Sequence, residues 1–100
     1  GEVTGQAISA FVTLKSNVTG SAELAQRLRA HVSEKLGKFV FPKYLTFTPD
    51  LPKTRSGKIM RRLLRDIAEG RMLGDTTTLA DSSVVAELQS RAAAEAQKEE

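Results

Sequence analysis

Residues 52–62 read PKTRSGKIMRR, and this stretch joins a loop to a basic helix. Pro52 restricts the backbone where the loop begins, and Gly57 permits a positive φ or a close approach to another surface. We therefore expect the loop to present Lys58 at its tip and a helix to begin at this lysine. The residues expected to support the lysine are Thr54, Ser56 and Gly57.

The residues after the loop indicate a helix from Lys58 to Gly70, because basic and apolar side chains separate onto opposite sides. No acidic residue interrupts residues 51–65, so this stretch creates a positive field that attracts phosphates or acidic partners. A solvated basic face without any partner is the alternative. The apolar side contains Ile59, Leu63 and Ile67, and the basic side contains Lys58, Arg61, Arg62 and Arg65.

The first half of the chain predicts a strand, a helix and a second strand. Residues 7–14, AISAFVTL, have the alternation of a mostly buried strand. Ser21 is placed to cap a helix that Gly37 closes, and we expect this helix to pack on the strand. In residues 43–49, KYLTFTP, apolar residues and threonines alternate until Pro49 ends a second strand. The apolar positions of the helix are Leu24, Leu28, Val32 and Leu36.

The expected fold class is α+β, with a short β-sheet packed against two or three helices. One hundred residues can bury a modest core but not a core plus a deep nucleotide pocket, so we expect one domain. Residues 1–81 form its body, and residues 82–100 add a last amphipathic helix and a frayed, polar tail. The apolar positions of that helix are Val84, Val85, Leu88 and Ala92.

The composition excludes several classes of site. The chain has no cysteine and a single histidine, His31, so a metal site has almost no ligands to use, and we expect His31 at or near the surface. The acidic residues form no paired-carboxylate motif and are interpreted as caps and surface charge. No apolar run approaches the roughly 18 residues of a membrane span, and no leader is evident. We expect a fragment of a cytoplasmic protein without membrane contact.

The Ser-Gly-Lys sequence resembles part of a phosphate-binding loop, but the match fails. Pro52 stands where that loop requires its first glycine, and Ile59 stands where it requires a hydroxyl for magnesium. No aromatic residue is interleaved with the basic ones, so we expect no nucleic-acid binding. The remaining interpretation is that the loop presents Lys58, whose ammonium is suited to stabilise an anionic reacting group. An exposed lysine without a role is the alternative.

Residues 49–70, PDLPKTRSGKIMRRLLRDIAEG, resemble the last core motif of the AMP-forming acetyl-CoA synthetases, in the adenylate-forming superfamily of acyl-CoA synthetases. Residues 73–81, LGDTTTLAD, are similar to that family's C-terminal signature, and residues 5–14 are similar to its opening strand. The resemblance implies that residues 1–81 are the small, mobile C-terminal domain of a much larger enzyme. Residues 82–100 would complete the same domain.

The resemblance also implies a reaction in two steps. Acetate and ATP give acetyl-adenylate and pyrophosphate, and CoA then displaces AMP to give acetyl-CoA. In that family the lysine matching Lys58 catalyses the first step, and the domain rotates on the large N-terminal domain for the second. ATP with magnesium, and CoA, would be substrates of the full-length enzyme, and this chain alone would bind none of them and be inactive. The alternatives are another short-chain synthetase, such as a propionyl-CoA synthetase, and a basic partner-binding module without catalysis.

Many bacterial members are regulated at the same lysine. The resemblance implies that Lys58 becomes N6-acetyllysine through a GNAT-type protein acetyltransferase and is restored by a sirtuin-type deacetylase. Acetylation removes the charge that adenylation needs, so it would switch the enzyme off. We expect a basic surface to dock on acidic residues of the acetyltransferase. Its residues are Arg61, Arg62 and Arg65.

One departure from the family concerns CoA. Relatives carry an arginine in a stretch like RKEIGP that is thought to contact CoA, and the matching residue here is Ser33. The resemblance therefore assigns no CoA-contacting residue, although Lys35 or Lys38 is placed to substitute for the missing arginine.

Overall fold

The computed structural model describes residues 8–98, which form two strands and three helices. This confirms the expected α+β class with a short sheet. The contacts divide the chain after Phe47 into two compact units. Within residues 8–98 no helix is long and apolar enough to cross a membrane. The elements are β1 (Ile8–Val12), α1 (Ala22–Leu36), β2 (Pro42–Phe47), α2 (Arg61–Ala68) and α3 (Ser83–Lys98).

The first unit contains a parallel pair of strands joined by a helix. Val12 of β1 lies opposite Phe47 of β2, and the register is irregular near Ile8. Parallel strands need a long crossover, and α1 supplies it. Strand β1 is half-buried along most of its length, so the prediction of a mostly buried strand is wrong. Ala7, the first residue of the predicted strand, lies outside the described residues.

Helix α1 begins and ends where its capping residues predict. The Ser21 hydroxyl accepts a hydrogen bond from the Leu24 N–H at 3.1 Å, which satisfies one free donor of the first turn. At the other end Gly37 has a φ of 120°, and its N–H donates to the Ser33 carbonyl at 2.9 Å. Both predicted ends are confirmed, because each depends only on neighbouring residues.

The contact between α1 and β2 is partly polar. Arg29 of α1 donates from Nε to the Pro42 carbonyl at 2.8 Å and from Nη2 to the Lys43 carbonyl at 3.3 Å. Ala25 is the buried residue of this helix. The predicted apolar side does not extend to the last turn, where Leu36 is 68% exposed. The sheet is therefore held to the helix by an arginine as well as by apolar contact.

The second unit contains α2 and α3, which pack against each other. Helix α2 begins at Arg61, so the predicted start at Lys58 is wrong, and Ile59 is an exposed residue outside the helix. Helix α3 continues to Lys98 and includes most of the segment in which the sequence predicts the helix to fade. The buried apolar residues of this unit are Leu63, Ile67, Leu79, Val85 and Leu88.

Replacing Leu63 with alanine should lower the free energy of unfolding by about 2–5 kcal/mol, because a side chain with no exposed surface is removed from a packed core. Urea unfolding followed by circular dichroism measures this loss. Met72→Ala is the control, since Met72 is 94% exposed and its loss should cost less than about 0.5 kcal/mol. Equal losses in the two variants would contradict the placement of Leu63 in the core.

Candidate active site

The loop that carries Lys58 is a tight β-hairpin. At its base the Met60 N–H donates to the Pro52 carbonyl at 2.9 Å. Nearer the turn the Thr54 N–H donates to the Lys58 carbonyl at 2.9 Å, which leaves residues 55–57 as a three-residue loop. Three-residue hairpin loops place a left-handed residue just before the returning strand. Lys58 therefore lies directly after the turn, paired with the opposite strand, and not at the tip itself.

Gly57 occupies the left-handed position of this turn. Its φ is 93°, a value that residues with a Cβ rarely adopt, and its N–H donates to the Thr54 carbonyl at 2.9 Å. A Cβ built on Gly57 would meet no described atom within 4 Å. The positive φ therefore explains the glycine at this position. A close approach to another surface, the other predicted reason, is not observed within the described residues.

The Thr54 side chain completes the support of Lys58. Thr54 Oγ1 accepts a hydrogen bond from the Lys58 N–H at 3.2 Å and lies 3.0 Å from Ser56 Oγ. Both backbone groups of Lys58 are thus bonded to one residue, while its side chain is exposed. Among residues 8–98 the Lys58 ammonium makes no ion pair. The arrangement holds the backbone in place and leaves the cation free to meet an anion.

The three arginines after the hairpin differ in their partners. Arg61 and Arg65 are exposed, and neither makes an ion pair within the described part of the chain. Arg62 lies 3.7 Å from the Asp66 carboxylate and also donates to the Asp75 carbonyl. The first turn of α2 contains no acid and no side-chain cap, so its free N–H groups add to the positive potential.

A segment within the stretch that is similar to the family's C-terminal signature also contacts the hairpin. We call residues 75–80 the bracing segment. Its five contacts reach both strands of the hairpin and the start of α2, and none involves residues 56–59. They are Ala80 N–H to Lys53 carbonyl, the bridge of Leu79 with Thr54, Arg55 to Thr77 carbonyl, Thr78 hydroxyl to Met60 sulfur, and Arg62 to Asp75 carbonyl.

The acidic residues near the hairpin act as turn and helix caps, as predicted. Asp75 Oδ1 accepts from the Thr77 N–H and hydroxyl at 2.9 and 2.7 Å. Asp81 Oδ1 accepts from the Ser83 N–H and hydroxyl at 3.0 and 2.6 Å, at the start of α3. The backbone N–H of Thr77, then its hydroxyl, lowers the pKa of Asp75 below its ordinary value. No group of three metal-binding side chains occurs within residues 8–98.

The residues considered for CoA and metal lie apart from the hairpin in sequence. The Ser33 hydroxyl donates to the Val40 carbonyl at 2.6 Å, so it is bonded within its own unit. Lys38 places its ammonium 5.6 Å from the centre of the Phe39 ring, and Lys35 is exposed. His31 is exposed, as expected for a histidine without a second ligand.

The chain matches known proteins along most of its length. The model of the AMP-binding enzyme C-terminal domain family matches residues 1–58. Acetyl-coenzyme A synthetase of Gemmatimonas aurantiaca is 64% identical, over 87% of this chain and 13% of that protein. The enzyme of the same name from Rubrobacter xylanophilus is 57% identical, over 93% of this chain and 15% of that protein. Acetoacetyl-CoA synthetase from Streptomyces lividans has a TM-score of 0.66 over 84% of this chain and 14% of that one, and at 19% identity it shares the fold.

The chain therefore belongs to the AMP-binding enzyme C-terminal domain family. Its similarity within the adenylate-forming enzymes is to acetyl-coenzyme A synthetases, which confirms the resemblance drawn from residues 49–70. The chain spans 13–15% of the length of the two synthetases described above.

Replacing Gly57 with alanine should lower the free energy of unfolding by about 1–2 kcal/mol, because alanine is strained at a positive φ. The surrounding space is open, so this strain is the expected cause. Gly57→Asn is the matched variant, since asparagine tolerates left-handed backbone, and it should lose less. Thermal unfolding of both variants tests this expectation, and a larger loss for asparagine would contradict it.

Proposed function

We propose that this chain is the C-terminal domain of an AMP-forming acetyl-CoA synthetase and that Lys58 is its catalytic lysine in the adenylation step. The observation that carries the proposal is the exposed Lys58 cation, without an ion pair among residues 8–98, on a backbone bonded twice to Thr54. The similarity to acetyl-coenzyme A synthetases supplies the reaction.

In the adenylation step the acetate carboxylate attacks the α-phosphorus of ATP. A bond forms between the carboxylate oxygen and phosphorus, and the bond to pyrophosphate breaks. Negative charge gathers on the phosphoryl oxygens and on the leaving group, and a positioned cation stabilises it. A lysine suits this task because its ammonium is a compact charge on a flexible stem. Magnesium would accompany ATP as part of that substrate.

The second step needs a different arrangement. CoA attacks the acetyl carbon of acetyl-adenylate through its thiol, and AMP leaves as acetyl-CoA forms. Lys58 has no part in that step, so the domain would turn away from the adenylation position. The nucleotide and acetate sites belong to the large N-terminal domain, which lies outside this chain. We therefore expect this chain alone to have no synthetase activity.

Lys58→Ala in the full-length enzyme should reduce acetate-dependent exchange between ATP and pyrophosphate by about 100- to 1,000-fold, because the adenylation transition state loses its cation. Formation of acetyl-CoA from supplied acetyl-adenylate should persist. The control is Lys53→Ala, which removes an exposed lysine from the same hairpin that is paired with Asp50 at 3.3 Å. Lys53→Ala should leave exchange nearly unchanged. Exchange that survives in Lys58→Ala would refute the catalytic assignment.

We further propose that Lys58 is regulated by reversible acetylation. A GNAT-type protein acetyltransferase would neutralise the ammonium, and a sirtuin-type deacetylase would restore it. The exposed side chain is accessible to such an enzyme, and Arg61 and Arg65 offer free cations to an acidic docking surface. Arg62 is committed to Asp66 and to the Asp75 carbonyl, so it would contribute less.

Charge reversal at Arg61 or Arg65 to glutamate should slow acetylation of Lys58 several-fold, because electrostatic attraction to an acidic partner sets the rate of encounter. The measurement is incorporation of labelled acetyl groups by a GNAT-type protein acetyltransferase, at low and at high salt. The difference should shrink as salt increases. Arg27→Glu on α1 is the matched control, with an exposed arginine in the other unit. Equal rates in all variants would rule out arginine-dependent docking.

A further inference from the structure

The geometry of Lys58 depends on contacts that its own hairpin does not provide. Residues 52–60 close the hairpin through three backbone hydrogen bonds, but an isolated two-stranded hairpin is only marginally stable in water. The bracing segment, residues 75–80, adds a third stretch of backbone beside the first strand. The Ala80 N–H donates to the Lys53 carbonyl at 2.9 Å, and Leu79 forms an antiparallel bridge with Thr54.

Thr54 connects the bracing segment to the lysine. On one side it pairs with Leu79, whose side chain is 6% exposed and anchors the segment in the core of the unit. On the other side its backbone N–H and its hydroxyl bind both backbone groups of Lys58. Thr54 is therefore the residue that contacts both the bracing segment and the backbone of Lys58.

One acidic side chain, that of Asp75, closes a turn within the bracing segment. Asp75 Oδ1 accepts two hydrogen bonds from Thr77, and the Leu79 N–H donates to the Thr76 carbonyl at 3.1 Å. The turn directs the Thr77 carbonyl toward Arg55, which donates to it at 3.4 Å. The carboxylate of Asp75 is exposed, and within the described residues its hydrogen bonds go to Thr77, so this turn is the hydrogen-bonded route from Asp75 to the hairpin.

We propose that Asp75 and Thr77 are positioning residues for Lys58, an inference that rests on the proposed role of this lysine in adenylation. The turn they close holds the bracing segment against Thr54, and Thr54 fixes the backbone from which the lysine extends. Misplacing a reacting group by about 1 Å can cost about 100-fold in rate. Neither residue touches substrate in this proposal, and each acts only through the hairpin.

The test uses the full-length enzyme and assays the two half-reactions separately. Asp75→Ala should lower the kcat of acetate-dependent ATP–pyrophosphate exchange by about 10- to 100-fold with little change in the KM for ATP. Acetyl-CoA formation from supplied acetyl-adenylate should be unchanged. Asp75→Asn keeps an oxygen that accepts both bonds from Thr77 and should restore exchange to within about threefold of the parent enzyme. A similar fall in both half-reactions would overturn the proposal.

Two further variants separate positioning from general damage. In a Lys58→Ala background, Asp75→Ala should reduce exchange no further, because a residue that acts through the lysine has nothing left to position. An additional tenfold loss in that background would overturn the proposal. Asp81→Ala is the matched control, since Asp81 closes the same kind of turn at the start of α3 without bonding to the hairpin. It should leave the ratio of the two half-reaction rates unchanged.

The outcomes also distinguish this inference from the function on which it rests. Exchange that persists in Lys58→Ala overturns both. Exchange that collapses in Lys58→Ala but persists in Asp75→Ala overturns the positioning role alone. If Asp75→Ala does not fold, Thr77→Val removes only the hydroxyl donor to Asp75, and Thr77→Ser restores it. Thr77→Val should then lower exchange selectively and Thr77→Ser should not, and equal activities would overturn the proposal.

Discussion

The pairing of Thr54 with Lys58 determines how the second unit is built. The Thr54 N–H donates to the Lys58 carbonyl and the Lys58 N–H donates to the Thr54 hydroxyl, and the positive φ of Gly57 makes the turn between the two residues possible. The Lys58 carbonyl accepts from the Thr54 N–H in the hairpin, whereas the Met60 carbonyl accepts from the Leu63 and Leu64 N–H groups, so α2 begins at Arg61. The hairpin therefore sets the start of the helix that packs on α3, and it separates the lysine from the helical surface.

Features that depend on neighbouring residues were predictable from the sequence. Ser21 and Gly37 mark the ends of α1 because a cap hydrogen bond and a positive φ involve only adjacent turns. The positive φ at Gly57 was predictable for the same reason. The resemblance of residues 49–70 pointed to the acetyl-CoA synthetases, and relatives of that name at 57–64% identity confirm it. No knowledge of tertiary contacts was needed in these cases.

Features that depend on distant residues were not predictable. Lys58 and Ile59 have the spacing of a helix, but hydrogen bonds to residues 52–54 place them in a hairpin instead. The sequence grouped Arg62 with Arg61 and Arg65, and only the folded chain brings the Asp75 carbonyl within its reach. The contacts of the bracing segment could not be predicted because its partners lie 13 to 27 residues away and several are backbone groups, which carry no signal in the sequence.

The backbone of Lys58 is bonded and its side chain is exposed, and this has a consequence for the acetylation proposed at this residue. Within residues 8–98, every contact that fixes this residue uses its N–H or its carbonyl, and none uses the ammonium. An acyl group on the ammonium would change the charge by one unit while leaving the hairpin intact. The acetylated and the unacetylated domain would then have the same fold and closely similar melting temperatures. Such a switch needs no chaperone or refolding to reverse, and isoelectric focusing would detect it where calorimetry would not.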